Sequence, residues 1–359
     1  MTPAAVLLSY RLGGTDGVSV ETEKWRAALE TLGFATRRVA GELADGAGPT
    51  DTVLPWLAWE SRDPPIPSEL AGALAGADLV VVENLCSLPL NIAAARTAAA
   101  VLGDCPELRV VFHHHDLPWQ RARFAAVTDL PPARPGSLHV TINDLSRREL
   151  AGRAISAHTI RNVFDVDVPA GARTETRASL GFGADDLVVL QPTRAIPRKN
   201  VPAGIEFAAA LGRHVRRRVV RYWLTGPAEE GYGPALAGLL AGAPVPVTVG
   251  RVPEVADAYA ASDVVVFPST WEGFGNPVIE SVIARRPIAT ARYPVLDELV
   301  DLGLALFSID APDLLVRWLA APDEAQLRAN LALVRRHFAA ADLPARLESA
   351  FAGMGWSRW

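Results

Sequence analysis

The sequence predicts an α/β protein made of two successive βα domains, each built on a mostly parallel sheet. Three observations carry that expectation. Short apolar runs alternate with longer amphipathic ones along most of the chain, the pattern of repeated strand–helix units. The strand-like runs fall into two series separated by an aperiodic stretch. A chain of 359 residues is also longer than one ordinary core organises, which favours two domains over one large sheet.

The first series of strand-like runs covers residues 4–9, 79–82, 109–112 and 139–142, with helix-like segments at 18–32 and 145–151. A second series follows at 187–190, 219–224, 245–249 and 264–267, with helical patterns at 201–213 and 278–284. Residues 162–171 between the series have no clear period and end in turn residues, so they read as a domain connection. The expected domains are therefore residues 1–165 and 166–344. Pro-rich stretches at 62–67 and 130–136 read as surface loops. Two such domains facing each other would set the carboxyl ends of both sheets along one cleft, where open parallel sheets bind ligands.

Composition narrows the function. Half of the residues are hydrophobic and 21% are charged, the balance of a soluble globular protein. No apolar run approaches the roughly 20 residues of a membrane span, and no charged leader marks the N-terminus for export. The net charge of −5 argues against a nucleic-acid binder driven by phosphate attraction. Residues 1–165 carry 15 basic and 19 acidic side chains, so the first domain is no basic membrane dock, although peripheral membrane contact stays open. Two cysteines, Cys86 and Cys105, build no disulfide framework, and a cytoplasmic setting is expected. Oligomeric state is not legible. Of 35 basic residues only Lys24 and Lys199 are lysine.

Four segments carry chemistry. In the first, the strand at 264–267 runs into Pro268, a loop holding Glu272 and Gly273, then Phe274, Gly275, Asn276 and Pro277. Asn276 reads as a helix N-cap with Pro277 at the first helical position, which makes Glu280 the fourth helical residue. A capping-box glutamate would stand one position earlier, so capping does not account for Glu280. The loop glycines admit a ligand close to the backbone, and the helix start offers free N–H groups that suit a diphosphate or sugar hydroxyls. In the second segment, Arg194 and Lys199 stand five apart in a loop that follows a strand, a planar fork and a compact charge suited to a diphosphate. Arg198 between them reads as a surface residue. The third is a strand followed by the pair Gly13–Gly14 and Asp16, which matches neither a GxGxxG fingerprint nor a Walker loop. The fourth is His113–His114–His115–Asp116 at a strand end. Neighbours on an extended chain point to opposite faces, so at most alternate histidines share an ion, and no metal is expected.

The spacing of Glu272 and Glu280, in EGFGNPVIES after ASDVVVFPS, closely resembles the donor site of retaining GT-B glycosyltransferases of family 4. The resemblance covers most of the chain and is strongest from about Arg194 to Glu298. It implies two Rossmann-like domains facing a cleft, with a C-terminal helix, about residues 345–359, crossing back to the first domain. It implies that Glu280 holds the ribose and Glu272 the transferred sugar, with the backbone of Phe274, Gly275 and Asn276 facing sugar and diphosphate. Many members carry leucine in place of Asn276, which bears on sugar selection. Arg194 and Lys199 match the family's basic pair, and Gly13–Gly14 its glycine loop. Arg251 and Val252 lie where members contact the base. A histidine at the fourth segment faces the reacting sugar, with His115 the first choice and His113, on the same face, the second. Asp116, Trp119 and Asp16 fall on the acceptor side, Asp116 to orient an imidazole or bind acceptor and Trp119 to stack on a sugar ring. Acceptor loops are expected at 52–67 and 118–128.

The implied reaction moves a hexose, with retention, from a nucleoside diphosphate sugar, UDP- or GDP-hexose, to a hydroxyl of a saccharide, lipid-linked glycan or small metabolite. No cofactor is required. The alternatives are a phosphorylase of the same fold, an epimerase and a non-catalytic nucleotide-sugar binding module. The remaining motifs carry less. Asp165 and Asp167 form a DxD in the connection, the basic cluster at 213–221 reads as a solvated turn, and the tryptophan-rich terminus at 356–359 as packing on the first domain.

Overall fold

The computed structural model describes residues 2–215 and 218–356. They form two compact units, one running up to Val163 and resuming at Ala340, the other spanning Phe164–Ala339.

The first unit holds seven parallel strands: β1 (Ala4–Leu12), β2 (Ala35–Leu43), β3 (Thr52–Val53), β4 (Leu79–Glu83), β5 (Arg109–His114), β6 (Leu138–Thr141) and β7 (Ala157–Thr159). Their order is β3-β2-β1-β4-β5-β6-β7. The central runs are continuously apolar because both faces are covered. Val6, Leu8, Val80, Val82, Val110 and Phe112 pack on one side. Ala5, Leu7, Leu79, Val81 and Val111 pack on the other. Each such Val or Leu contributes about 1.5–3 kcal/mol by leaving water.

The chain returns to this unit through the helix Leu343–Gly353, whose Leu343, Leu347, Ala350 and Phe351 share one face and join the Ala5–Leu7 core. Trp356 packs on Phe351 with ring centroids 5.9 Å apart, while Ser357, Arg358 and Trp359 lie outside the described residues. Lys24 holds the other end of the excursion. Its Nζ pairs with Glu21 Oε2 at 3.0 Å and donates to the carbonyl of Val163, whose N–H donates to Glu21 Oε1 at 3.2 Å.

The second unit holds six parallel strands: β8 (Leu187–Gln191), β9 (Val220–Leu224), β10 (Val247–Val249), β11 (Val264–Phe267), β12 (Ile288–Thr290) and β13 (Phe307–Ser308). Their order is β10-β9-β8-β11-β12-β13. In the DxD stretch the Asp167 N–H donates to Asp165 Oδ1 at 3.1 Å and Arg335 pairs with the Asp167 carboxylate at 2.7 Å, an exposed turn. Of the basic cluster, Arg216 and Arg217 lie outside the described residues, while Arg218 and Arg221 bind Asp186.

Both sheets reverse their strand order beside the first strand, between β1 and β4 in one unit and between β8 and β11 in the other. At such a switch point the connections leave toward opposite faces and open a crevice at the carboxyl ends of the strands. The segments with candidate chemistry follow these strands or their neighbours. Among the described residues no helix is long and apolar enough to cross a membrane. Cys86 and Cys105 are free thiols.

Candidate active site

At the switch point of the second unit, Lys199 and Glu272 meet. The Lys199 Nζ lies 2.5 Å from Glu272 Oε1, and both side chains are only 10% exposed. Lys199 ends a short 3₁₀ turn, Pro197–Lys199, after β8, and Asn200 then takes φ 50° before the helix Val201–His214. Gln191 Nε2 donates to the Lys199 carbonyl at 2.9 Å, fixing the turn to the strand end. Burial lowers the Lys199 pKa to about 8, against the opposing pull of Glu272. Burial would raise the Glu272 carboxyl, but the charges of Lys199 and Arg198 hold it below its ordinary value.

Arg198 is not the surface residue its sequence position suggests. Its Nη1 donates to Glu272 Oε2 at 2.9 Å and to the Trp271 carbonyl at 3.0 Å. The Thr270 N–H donates to the Arg198 carbonyl at 2.9 Å, which ties the basic loop to the Glu272 loop. Arg194, by contrast, pairs with Glu229 at 2.6 Å, with both side chains about a third exposed or more (34% and 40%). The basic pair of the sequence is thus divided: Lys199 is committed to Glu272, and Arg194 is held at the rim by a carboxylate from the loop after β9.

The helix after Glu272 spans Asn276–Ile283, and its N-cap is Gly275 rather than Asn276. Asn276 is the first helical residue, Pro277 the second and Glu280 the fifth. The cause is the backbone at Gly275, where φ is 108°, a value side chains resist. A Cβ there would also lie 2.1 Å from the Tyr293 hydroxyl, which donates to the Phe274 carbonyl at 3.2 Å. The Phe274 ring is buried against Phe338 (5.7 Å) and Phe164 (6.3 Å), so its side chain anchors the loop in the core. Tyr259, fully buried at the end of the preceding helix, donates to Glu280 Oε2 at 2.6 Å. Gly250 follows β10 with φ 148° and its carbonyl accepts from Trp223 Nε1 at 2.9 Å; Arg251 beyond it is exposed and Val252 half-buried.

In the first unit, Gly13 follows β1 with φ 72°, and a Cβ on it would collide with the Asp45 carboxylate at 2.0 Å. Asp16 is the N-cap of the helix Gly17–Thr31: it accepts from the Ser19 N–H at 3.2 Å and pairs with Arg11 at 3.1 Å. These partners hold its carboxyl below the ordinary range despite burial. Asp16 therefore already has a structural task.

The histidines separate by face, as an extended strand requires. His114 turns one way, with Nδ1 2.5 Å from Ser87 Oγ and Nε2 2.9 Å from His139 Nδ1. Burial drives the pKa of both rings down, His139 to about 4. His113 and His115 turn the other way and converge on Glu83 at the end of β4, which lies opposite His113 in register. The sequence reading missed Glu83. Its one signal was a charged residue closing the run LVVV, which is also how an ordinary exposed strand end looks. Glu83, His113 and His115 offer donor atoms within 4.8 Å of one another. The carboxylate touching the imidazoles is thus Glu83, whereas Asp116 pairs with Arg121 at 2.6 Å. Trp119 donates to Glu149 at 2.8 Å, and the Arg153 guanidinium covers its ring at 3.8 Å.

Two parallel sheets of Rossmann-like order, each with charged side chains gathered at its switch point, define an α/β protein of the GT-B kind. Comparison with known proteins points the same way. Residues 194–325 match the family described as glycosyl transferases group 1. The chain is 24% identical over 376 residues to mannosylglucosylglycerate synthase of Petrotoga mobilis, covering 84% of this chain and 86% of that protein. It is 27% identical over 352 residues to the enzyme of the same name from Thermotoga maritima, covering 80% of each. Among solved structures, Anabaena HepE in complex with UDP and glucose superposes with a TM-score of 0.75 at 17% identity, over 98% of this chain and 99% of that one. The chain is a glycosyltransferase of the GT-B fold, and its second unit is similar to glycosyl transferases group 1.

Proposed function

We propose that this enzyme is a retaining glycosyltransferase of family 4 that moves a hexose from a nucleoside diphosphate sugar to a hydroxyl. The observation that carries the reading is the buried Lys199–Glu272 pair, braced by Arg198, at the switch point of the group 1 domain. A largely buried lysine held by a carboxylate is poised to exchange that partner for a diphosphate. Lys199 and Arg194 then stabilise the leaving phosphates, while Glu272, released from Lys199, accepts from hydroxyls of the sugar. Glu280, oriented by Tyr259, takes the ribose hydroxyls, and the amides opening the helix at Asn276 face the phosphates. Arg251 and Val252 border the base, and the Gly13–Gly14 loop serves the donor from the first unit. His115 faces the reacting sugar; Asp116 and Trp119 lie toward the acceptor.

The donor we favour is UDP-hexose, since HepE was solved with UDP and glucose. The product named for the Petrotoga and Thermotoga relatives favours a small metabolite as acceptor over a lipid-linked glycan. The setting is cytoplasmic.

The test is thermal unfolding with UDP, GDP, ADP and dTDP and their sugars, followed by turnover of the donor that stabilises most. A ligand at a hundred times its Kd adds about 2.7 kcal/mol, which raises the melting temperature of a domain this size by roughly 5–10 °C. Stabilisation by none of them, or a Lys199→Ala variant with full turnover, overturns the reading.

A further inference from the structure

Glu83 is fully buried, which by itself would raise its carboxyl, yet the adjoining His113 and then His115 together hold it down to about 2. Its Oε2 lies 2.8 Å from His113 Nδ1 and 3.1 Å from His115 Nε2. The next residue completes a clamp. Asn84 sits in the left-handed region at φ 59°, where its Oδ1 accepts the N–H groups of His115 (3.1 Å) and Asp116 (3.2 Å). Its own N–H donates to the His113 carbonyl at 2.9 Å. Two consecutive residues therefore hold the ring and the backbone of the turn that carries His115.

An ionised carboxylate only accepts hydrogen bonds, so each ring nitrogen facing Glu83 carries a proton. In a neutral imidazole that fixes the tautomer. In that form His115 carries its proton on Nε2 and leaves Nδ1 bare, whereas His113 carries its proton on Nδ1. The two rings are not equivalent. His113 is sealed in the strand, stacked on Trp25 at 4.1 Å, near Glu21, and its Nε2 finds no partner among the described residues. His115 lies just past the end of β5 and keeps 7% side-chain exposure.

We propose that Glu83 is a positioning residue that locks His115 in its Nε2–H tautomer, so that His115 Nδ1 accepts a hydrogen bond from a substrate hydroxyl. The proposal rests on the reading that His115 faces the reacting sugar. It also gives that histidine a direction: toward the substrate it accepts a hydrogen bond, while its own N–H donates to Glu83.

The experiment is long-range proton–nitrogen NMR on full-length protein labelled with ¹⁵N-histidine, near pH 7.5, with His115→Ala to assign the signals. The wild type is expected to show His115 as the neutral Nε2–H form. Glu83→Gln keeps the size but lets an amide donate toward the ring, so the proton redistributes to Nδ1. Turnover then falls roughly ten- to a hundredfold, the scale of a lost hydrogen bond to a charged group, with little change in donor KM. A wild-type His115 that is Nδ1–H or doubly protonated overturns the proposal, and that result stands even where the variant does not fold. So does a Glu83→Gln enzyme that keeps both tautomer and turnover. Stoichiometric binding of added Zn²⁺ that displaces both ring protons would make the cluster a metal site instead, and the proposal falls. If no nucleotide sugar is turned over at all, the substrate role falls with the transferase reading, while the NMR result still decides whether Glu83 sets the tautomer.

Discussion

Replacing Lys199 by methionine removes one charge from a pair whose two side chains are each only 10% exposed. Surface ion pairs are worth about 0–1 kcal/mol, but deleting one member of a buried pair costs about 3–5 kcal/mol, because the other charge stays buried and alone. Here Glu272 keeps Arg198 at 2.9 Å, which places the expected cost near 3 kcal/mol. For a unit of this size that lowers the melting temperature by roughly 6–12 °C. Glu272→Gln leaves Lys199 buried without its anion and costs a similar amount. The double variant orphans only Arg198, which is partly exposed and keeps the Trp271 carbonyl, and it recovers much of the loss, so the coupling energy is about 2 kcal/mol or more. The assay is denaturant and thermal unfolding of the four proteins, with ellipticity as the probe. Costs that simply add, with coupling below about 0.5 kcal/mol, would show that the two charges do not depend on each other and would refute the description of Lys199 as held in place by Glu272.

Two further outcomes are expected. Lys199 loses its proton near pH 8, so it is charged below that value and neutral above it; kcat/KM for the donor should fall as pH rises through about 8. The limb in kcat should lie at higher pH, because bound phosphates favour the ammonium, and a kcat/KM flat from pH 7 to above 9 would remove Lys199 from the reaction. At the helix start, Gly275→Ala forces a side chain into φ 108° and against the Tyr293 hydroxyl, 2.1 Å away. Backbone strain of this kind costs about 1–3 kcal/mol, and Gly275→Ala combined with Tyr293→Phe should restore part of both stability and turnover. Equal loss in the single and double variants, read by unfolding and by steady-state rates, would show that the hydroxyl is not what reserves the position for glycine.

The sequence by itself determined the fold class and the strands that run through the middle of each sheet, and by resemblance it marked the stretch proposed to bind the donor. Residues 264–267 were legible to the residue because a strand covered on both faces must be a continuous apolar run, here bounded by Asp263 and Pro268. β2 (Ala35–Leu43) was not, since Arg37 and Arg38 interrupt its run near the sheet edge, and two-residue strands such as β3 and β13 carry no period at all. The helix start was misplaced by one residue, because Asn276 has the chemistry of a cap while the left-handed backbone falls on Gly275.

Partnership was decided only in three dimensions. Nothing local distinguishes Arg198 from a solvated arginine, and it takes its role from a loop 74 positions away, that of Glu272. Glu83 reads as a strand end until β4 pairs with β5 and sets it against His113. Asp116 looked like the carboxylate for an imidazole, but its side chain turns to Arg121. The alternation of an extended chain fixed which histidines share a face. Which of them meets a charge depended on register, and register is set by how neighbouring strands bury their apolar faces, a long-range condition that no short stretch of sequence contains.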